Sequence, residues 1–128
     1  MKNLINSRRK NYNVSILGIA YKENTNSTKN APSLDLIKNF DDIVFKFYDS
    51  FVDKIKFKNL IKVKNIEEAI INCNILVILN KSSEFKKIDS KLLSKMKKKR
   101  IIIDPFGVLL NLNISNLEVK YFTMGLKN

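Results

Sequence analysis

The sequence predicts an α/β fold: a single Rossmann-like, open, mostly parallel sheet with helices on both faces. Three observations predict it. Short β-branched or aromatic runs alternate with segments of helical periodicity. One run, Ile75 to Leu79, is apolar throughout, as a central parallel strand requires. The chain is 128 residues with 45% apolar content, enough for one domain with one core.

The elements follow in order. Asn13 to Gly18 reads as a buried strand ending at a glycine. Ile19 to Asn30 is polar and reads as a loop. Pro32 stands where a first helical residue is favoured, with Asp35 in the first turn and Leu36, Ile37 and Phe40 as the buried stripe. Ile43 to Tyr48 is a second strand, ended by Asp49-Ser50. Phe51 to Lys64 reads as a loop with a short strand near Leu60 to Val63. Asn65 caps the next helix, with Glu68 at the capping-box position and Ile66, Ala69, Ile70 and Cys73 as its apolar stripe. After the Ile75 to Leu79 strand, Asp89 is a further N-cap, with Ile88 and Leu93 placed as a hydrophobic staple and Leu92, Leu93 and Met96 as the buried side. Ile101 to Ile103 is a strand ended by Asp104-Pro105, and Val119 to Phe122 is the last strand. Residues 1–12 read as a linker or the tail of a preceding helix, and residues 13–128 as the domain.

Composition removes several chemistries. Histidine is absent, which excludes an imidazole base and His-ligated metal. A single cysteine, Cys73, excludes an internal disulfide and a Cys metal cluster. Its place on an apolar stripe makes it a small core residue, and no base is positioned to activate it. No metal site and no catalytic residue is expected. No apolar run approaches the roughly 20 residues of a membrane span, and a cytoplasmic protein without a membrane partner is expected.

The net charge is +12, from 24 basic and 12 acidic residues. The composition holds 21 Lys, 17 Asn and 17 Ile against three Arg. All three abundant residues have A/T-rich codons, so compositional drift explains the excess more simply than selection for phosphate contacts, which favours Arg. The stretch Lys86 to Arg100 carries eight basic residues in fifteen, which at helical spacing form a solvated face.

The chain holds three glycines, and only Gly18 lies at the first strand–helix turn, so a self-contained dinucleotide fingerprint is missing. Asp49 ends the second strand, where a ribose-binding acid sits in dinucleotide folds, and where an aspartate is also an ordinary turn former. Tyr21-Lys22 follows the first strand at its carboxyl end, where open sheets bind ligands. A lysine there can meet a phosphate, and a tyrosine can stack on a base or sugar.

The order of these motifs resembles the C-terminal, UDP-binding domain of the UDP-glucose/GDP-mannose dehydrogenase family. The carriers are Ile16-Leu-Gly-Ile-Ala-Tyr-Lys22, Thr25-Asn-Ser-Thr-Lys29 and Ala31-Pro-Ser-Leu-Asp-Leu-Ile37. Tyr48-Asp49, Ile66-Glu-Glu-Ala69, Cys73 to Leu79, Glu84-Phe85, Ile88-Asp89, Ile102-Ile-Asp104, Gly107-Val108 and Tyr121-Phe122 with Gly125 follow in the family's order.

The resemblance implies the following. Tyr21 and Lys22 match residues that line the nucleotide-sugar site, and Lys29 matches an arginine that reaches the cofactor. The ligand is a UDP-sugar and the cofactor NAD, the latter bound mainly by domains outside the matched region. Partners are the complementary N-terminal and central dehydrogenase domains; nucleic acid is not an expected partner. The whole enzyme is an oxidoreductase that oxidises a sugar 6-hydroxymethyl group for polysaccharide biosynthesis. This chain looks like a fragment or split subunit, inactive alone, because Cys73 does not match the catalytic cysteine. Two departures stand out. Asn26-Ser27 replaces an acidic pair and Lys29 replaces an arginine; Phe106 stands where some members place a substrate-contacting arginine. The alternatives are a degenerate relic without ligand, or a basic nucleic-acid-binding module on a Rossmann-like scaffold.

Overall fold

A computed structural model of the chain describes residues 13–19, 43–50 and 59–123. Within these lie β1 (Val14–Leu17), β2 (Phe45–Tyr48), β3 (Leu60–Lys62), α1 (Ile66–Ile70), β4 (Ile75–Ile78), α2 (Ser90–Leu93), β5 (Arg100–Asp104) and β6 (Val119–Thr123). Short 3-10 turns cover Ser83–Lys87 and Ser115–Leu117. The helix anticipated from Pro32, and the candidate site residues Tyr21, Lys22 and Lys29, fall outside the described residues.

The six strands form one sheet in the order β3-β2-β1-β4-β5-β6. Every described pairing is parallel, so the expected mostly parallel sheet is wholly parallel here. Side chains alternate across it with the two-residue strand period. Val14, Ile16, Phe45, Phe47, Ile75, Val77 and Ile101 form the core of one face. Leu17, Leu76, Ile78 and Ile102 form that of the other, where they meet Ala69 and Ile70 of α1, Leu93 of α2, and Cys73, Phe85, Ile88 and Met96. All four residues of β1 and of β4 are buried, which explains why both strands read as continuous apolar runs broken only by Ser15.

Both predicted caps are formed. The Asn65 side chain accepts from the Glu68 N–H at 2.8 Å, and Asp89 Oδ1 accepts from the Leu92 N–H at 2.8 Å. Glu68 reaches back one residue further than a standard capping box, its Oε1 accepting from the Lys64 N–H.

Two expectations are corrected. Cys73 is not on the helix: α1 ends at Ile70, and Asn72, in the left-handed region at φ 64°, turns the chain so that Cys73 still reaches the core. Asparagine tolerates that conformation better than most residues. The basic stretch Lys86 to Arg100 is also not one helix. Its α-helical part is the single turn of α2, and Lys99 at φ 68° reverses the chain into β5.

Arg100 shows why this stretch folds as it does. Its guanidinium donates to the carbonyls of Met96 (3.1 Å), Leu117 (2.6 Å) and Ser94 (2.9 Å). The five fixed donors of arginine suit this clamp on three carbonyls, which lysine could not reproduce. Arg100 is thus a structural group that ties the end of α2 to the turn before β6. Lys95 pairs with Glu67 of α1 at 2.7 Å, an exposed ion pair.

Candidate site at the carboxyl edge of the sheet

In this strand order the chain leaves β1 in one direction for β2 and β3, then crosses back to β4 on the other side of β1. The crevice between the carboxyl ends of β1 and β4 is therefore the topological switch point, where open α/β sheets bind ligands. Gly18 ends β1 and Asn80 follows β4, and the two face each other across it.

The contact is close. Gly18 has φ +94°, and a Cβ placed on it would lie 2.6 Å from Asn80 Cγ. Asn80 is buried, and its Oδ1 accepts from the Ser82 N–H at 3.1 Å. On the other side of β1, Gly18 donates its N–H to the Tyr48 carbonyl at 2.9 Å, and Asp49 Oδ2 accepts from the buried Ile19 N–H at 2.8 Å. Asp49 is itself only 5% exposed. The turn-former reading of Asp49 thus has a structural basis: its carboxylate fixes the direction in which the chain leaves β1.

A second group of polar side chains flanks the crevice. Glu84, in the turn after β4, accepts from the Tyr48 hydroxyl at 2.6 Å and from the Ser50 hydroxyl. Burial alone would raise the Glu84 carboxyl, but the hydrogen bonds from Ser50 and Tyr48, helped by Lys87, outweigh it and hold the group below its ordinary value. The Tyr48 phenol is pushed up to about 12, first by burial and then by its bond to Glu84. Beside them, Tyr48, Glu84, Lys87, Ile66 and Leu92 line a cleft of about 350 Å³.

Further along the same edge, Asp104 is fully buried at the end of β5. Its Oδ1 accepts from the Val108 N–H at 3.0 Å. Its Oδ2 accepts from the Leu109 N–H at 2.8 Å and the Tyr121 hydroxyl at 2.6 Å. Burial, then the Asp104 bond, raises the Tyr121 phenol well above its usual value. This clamp shapes the turn that carries Phe106, which is 49% exposed, with Lys81 Nζ 5.8 Å from its ring centroid. An exposed aromatic ring with a cation over it therefore stands in the turn after β5.

The chain is about 30% of the length of the curated relatives it matches. The family profile described as "UDP-glucose/GDP-mannose dehydrogenase family, UDP binding domain" matches residues 15–111. The chain belongs to this family. Among curated relatives it is 27% identical over 131 residues to a UDP-glucose 6-dehydrogenase of Rickettsia conorii, covering 97% of this chain and 30% of that one. It is 32% identical over 99 residues to a UDP-N-acetyl-D-mannosamine dehydrogenase of Methanococcus aeolicus, covering 73% and 22%. Among solved structures, the UDP-D-ManNAc dehydrogenase of Pyrococcus horikoshii superposes with a TM-score of 0.73 at 19% identity, over 96% of this chain and 28% of that one. The UDP-N-acetyl-mannosamine dehydrogenase of Staphylococcus aureus does so with a TM-score of 0.70 at 24% identity, over 95% and 28%. These structural likenesses show the Rossmann-like α/β fold shared with dehydrogenase domains.

The family's dehydrogenases use NAD, and the described residues do not fit a self-contained site for it. A pyrophosphate approaches such a fold over open glycines at the first turn. Here the space above Gly18 is filled by the Asn80 side chain, and the Asp49 carboxylate is engaged by the Ile19 N–H. No group of three His, Cys, Asp or Glu side chains among the described residues could hold a metal ion. No described helix is long and apolar enough to cross a membrane.

Cys73 is fully buried, and burial pushes its thiol up to about 12, against a smaller opposing pull from the Ser15 hydroxyl. A buried neutral thiol is a poor nucleophile. The native protein is expected to leave a disulfide-exchange thiol reagent unreacted at pH 8, and to titrate one thiol per chain in denaturant. Fast reaction without denaturant would show that the α1–β4 turn opens readily.

Sequence reasoning missed Asn80, and it named Glu84, Asp104 and Tyr121 in the motif order without the pairing of Glu84 with two hydroxyls or of Asp104 with Tyr121. Each is a polar residue at or just beyond a strand's carboxyl end, or inside the last strand. Position relative to the switch point is the signal that could have singled out Asn80.

Proposed function

We propose that this chain is the nucleotide-sugar-binding domain of an NAD-dependent nucleotide-sugar 6-dehydrogenase, with residues 13–128 as the domain and residues 1–12 as a lead-in. The observation that carries this reading is the locked exit from β1. Gly18 against Asn80, and Asp49 on the Ile19 N–H, fix the direction in which the chain leaves the strand at the switch point. The next residues in sequence include Tyr21 and Lys22, which match the family's nucleotide-sugar contacts.

In this reading Lys22 meets a phosphate oxygen or the sugar, and Tyr21 packs on the nucleotide. A lysine ammonium is a compact point charge suited to a phosphate. Lys29 extends toward NAD, which the rest of the enzyme holds. The oxidation itself also belongs to the rest of the enzyme, because the one thiol here is buried and unactivated. The ligand class is a UDP-sugar, in keeping with the UDP-glucose and UDP-N-acetylmannosamine dehydrogenases among the relatives. A cytoplasmic place in polysaccharide precursor synthesis follows from that class.

The test is a calorimetric titration of the purified chain with UDP and UDP-glucose, with NAD alone as control. UDP binding is expected, with a loss of about tenfold or more in Lys22→Ala, as for removal of one charge-assisted contact. No heat with UDP at high protein concentration would contradict the proposal. NADH formation from UDP-glucose by this chain alone would contradict its assignment as a binding domain without catalytic function.

A further inference from the structure

The side chains around the switch point form a closed ring. Ile19 donates its N–H to Asp49. Asp49 lies between Tyr48 and Ser50, whose hydroxyls both donate to Glu84. Glu84 donates its N–H to Ser82 Oγ at 3.4 Å, and Ser82 donates its N–H to Asn80 Oδ1. The Asn80 side chain closes the ring against Gly18. Three strand ends, those of β1, β2 and β4, are thereby tied by side chains in addition to the sheet ladder, which pairs Leu17 with Tyr48 and with Ile78.

Glu84 joins the β2 corner to the turn after β4. Its partners lie 36 and 34 residues earlier in the chain, on the β2 corner, whereas its own backbone belongs to the turn after β4. The two apolar clusters do not include it. A glutamate at this half-exposed place could be solvated at little cost. Instead both of its oxygens accept hydroxyls from the same corner, which fixes the corner's angle to the 80–84 turn.

We infer that Glu84 is a positioning residue for the nucleotide-sugar site: through Tyr48, Ser50 and Asp49 it sets the direction in which the chain leaves β1 at Ile19. This inference rests on the proposed UDP-sugar reading of that site. Supporting contacts of this kind hold a binding geometry to within a fraction of an ångström, and their loss loosens the site without removing any group that touches the ligand.

The test compares UDP affinity and melting temperature in the wild type, Glu84→Ala, Glu84→Gln and Asp89→Ala. Asp89 caps α2 away from the ring, so Asp89→Ala lowers the melting temperature as a control for stability alone. The expected result is about a tenfold loss of UDP affinity in Glu84→Ala, the size that goes with the loss of about one hydrogen bond's worth of positioning. Glu84→Gln, which keeps an acceptor, recovers part of the loss, and Asp89→Ala keeps wild-type affinity. Should Glu84→Ala fail to fold, the milder pair Tyr48→Phe with Ser50→Ala removes the same two bonds and is expected to show the same loss. UDP affinity within twofold of wild type in these variants, or an equal loss in Asp89→Ala, overturns the inference. A wild type that does not bind UDP at all overturns the underlying reading as well, so the two failures are told apart.

Discussion

Gly18→Ala is expected to destabilise the fold by about 3 kcal/mol. Two costs combine. At φ +94° an L-residue is strained, which contributes about 1–2 kcal/mol. The added methyl would also sit 2.6 Å from Asn80 Cγ and 2.7 Å from its Oδ1. Asn80 cannot simply swing aside, because it is 5% exposed and its Oδ1 holds the Ser82 N–H. Denaturant unfolding of the two single variants and the double variant Gly18→Ala/Asn80→Ala separates the costs. The double variant is expected to be more stable than the sum of the singles predicts, since the clash disappears and the backbone strain remains. Strict additivity would show that the two side-chain positions do not compete for the same space.

Asp104→Ala is expected to cost about 3–4 kcal/mol. The carboxylate is fully buried and is the acceptor for two backbone N–H groups and one phenol. Removing it leaves those donors without that acceptor, and a buried unsatisfied donor costs about 1–3 kcal/mol. Tyr121→Phe removes only one of the three bonds and takes its donor away with it, so a loss of about 1 kcal/mol is expected. The contrast is checked by comparing midpoints in urea. An Asp104→Ala variant as stable as Tyr121→Phe would mean that the turn over residues 105–109 is held by its apolar contacts, such as buried Leu109, and not by the carboxylate.

Much of this fold is legible in the sequence because its signals are local. Strands β1, β4 and β5 announce themselves as short apolar runs, since a strand buried on both faces needs no polar alternation, whereas β2 shows as buried phenylalanines alternating with Lys46 and Tyr48. Asn65 and Asp89 announce helix starts, because capping is a contact over three residues. The helix lengths are less legible. Lysine has good helix propensity, so Lys86 to Arg100 reads as helical. α2 in fact ends at Leu93 with Ser94 as its C-cap, Lys99 then reverses the chain into β5, and Arg100 clamps three carbonyls, one of them at Leu117, far along the chain.

The same division holds for the candidate site. Gly18 is visible as a glycine ending a strand. Its partner Asn80 is 62 positions away, and the ring through Asp49 and Glu84 joins residues 30 and 36 apart. No periodicity encodes such pairings; they exist only once the strand order is known. Tyr21 and Lys22 stand out by their place after the first strand and by family resemblance, and Lys29 by the resemblance alone; all three lie outside the described residues, so their roles rest on those two signals together with the locked exit from β1. Phe106 illustrates a different limit. Sequence marks it as a departure from an arginine, and only the structure places Lys81 beside it.

The most direct test of the central claim is an amide chemical-shift titration of the isotope-labelled chain with UDP. The nucleotide is expected to move the resonances of Gly18, Ile19, Ser50 and residues 80–84, and to leave Lys97, Lys98, Arg100 and Glu118 at the opposite edge unchanged. Shifts confined to that opposite, lysine-rich edge, with none at Gly18 and Ile19, would contradict a nucleotide-sugar site at the switch point.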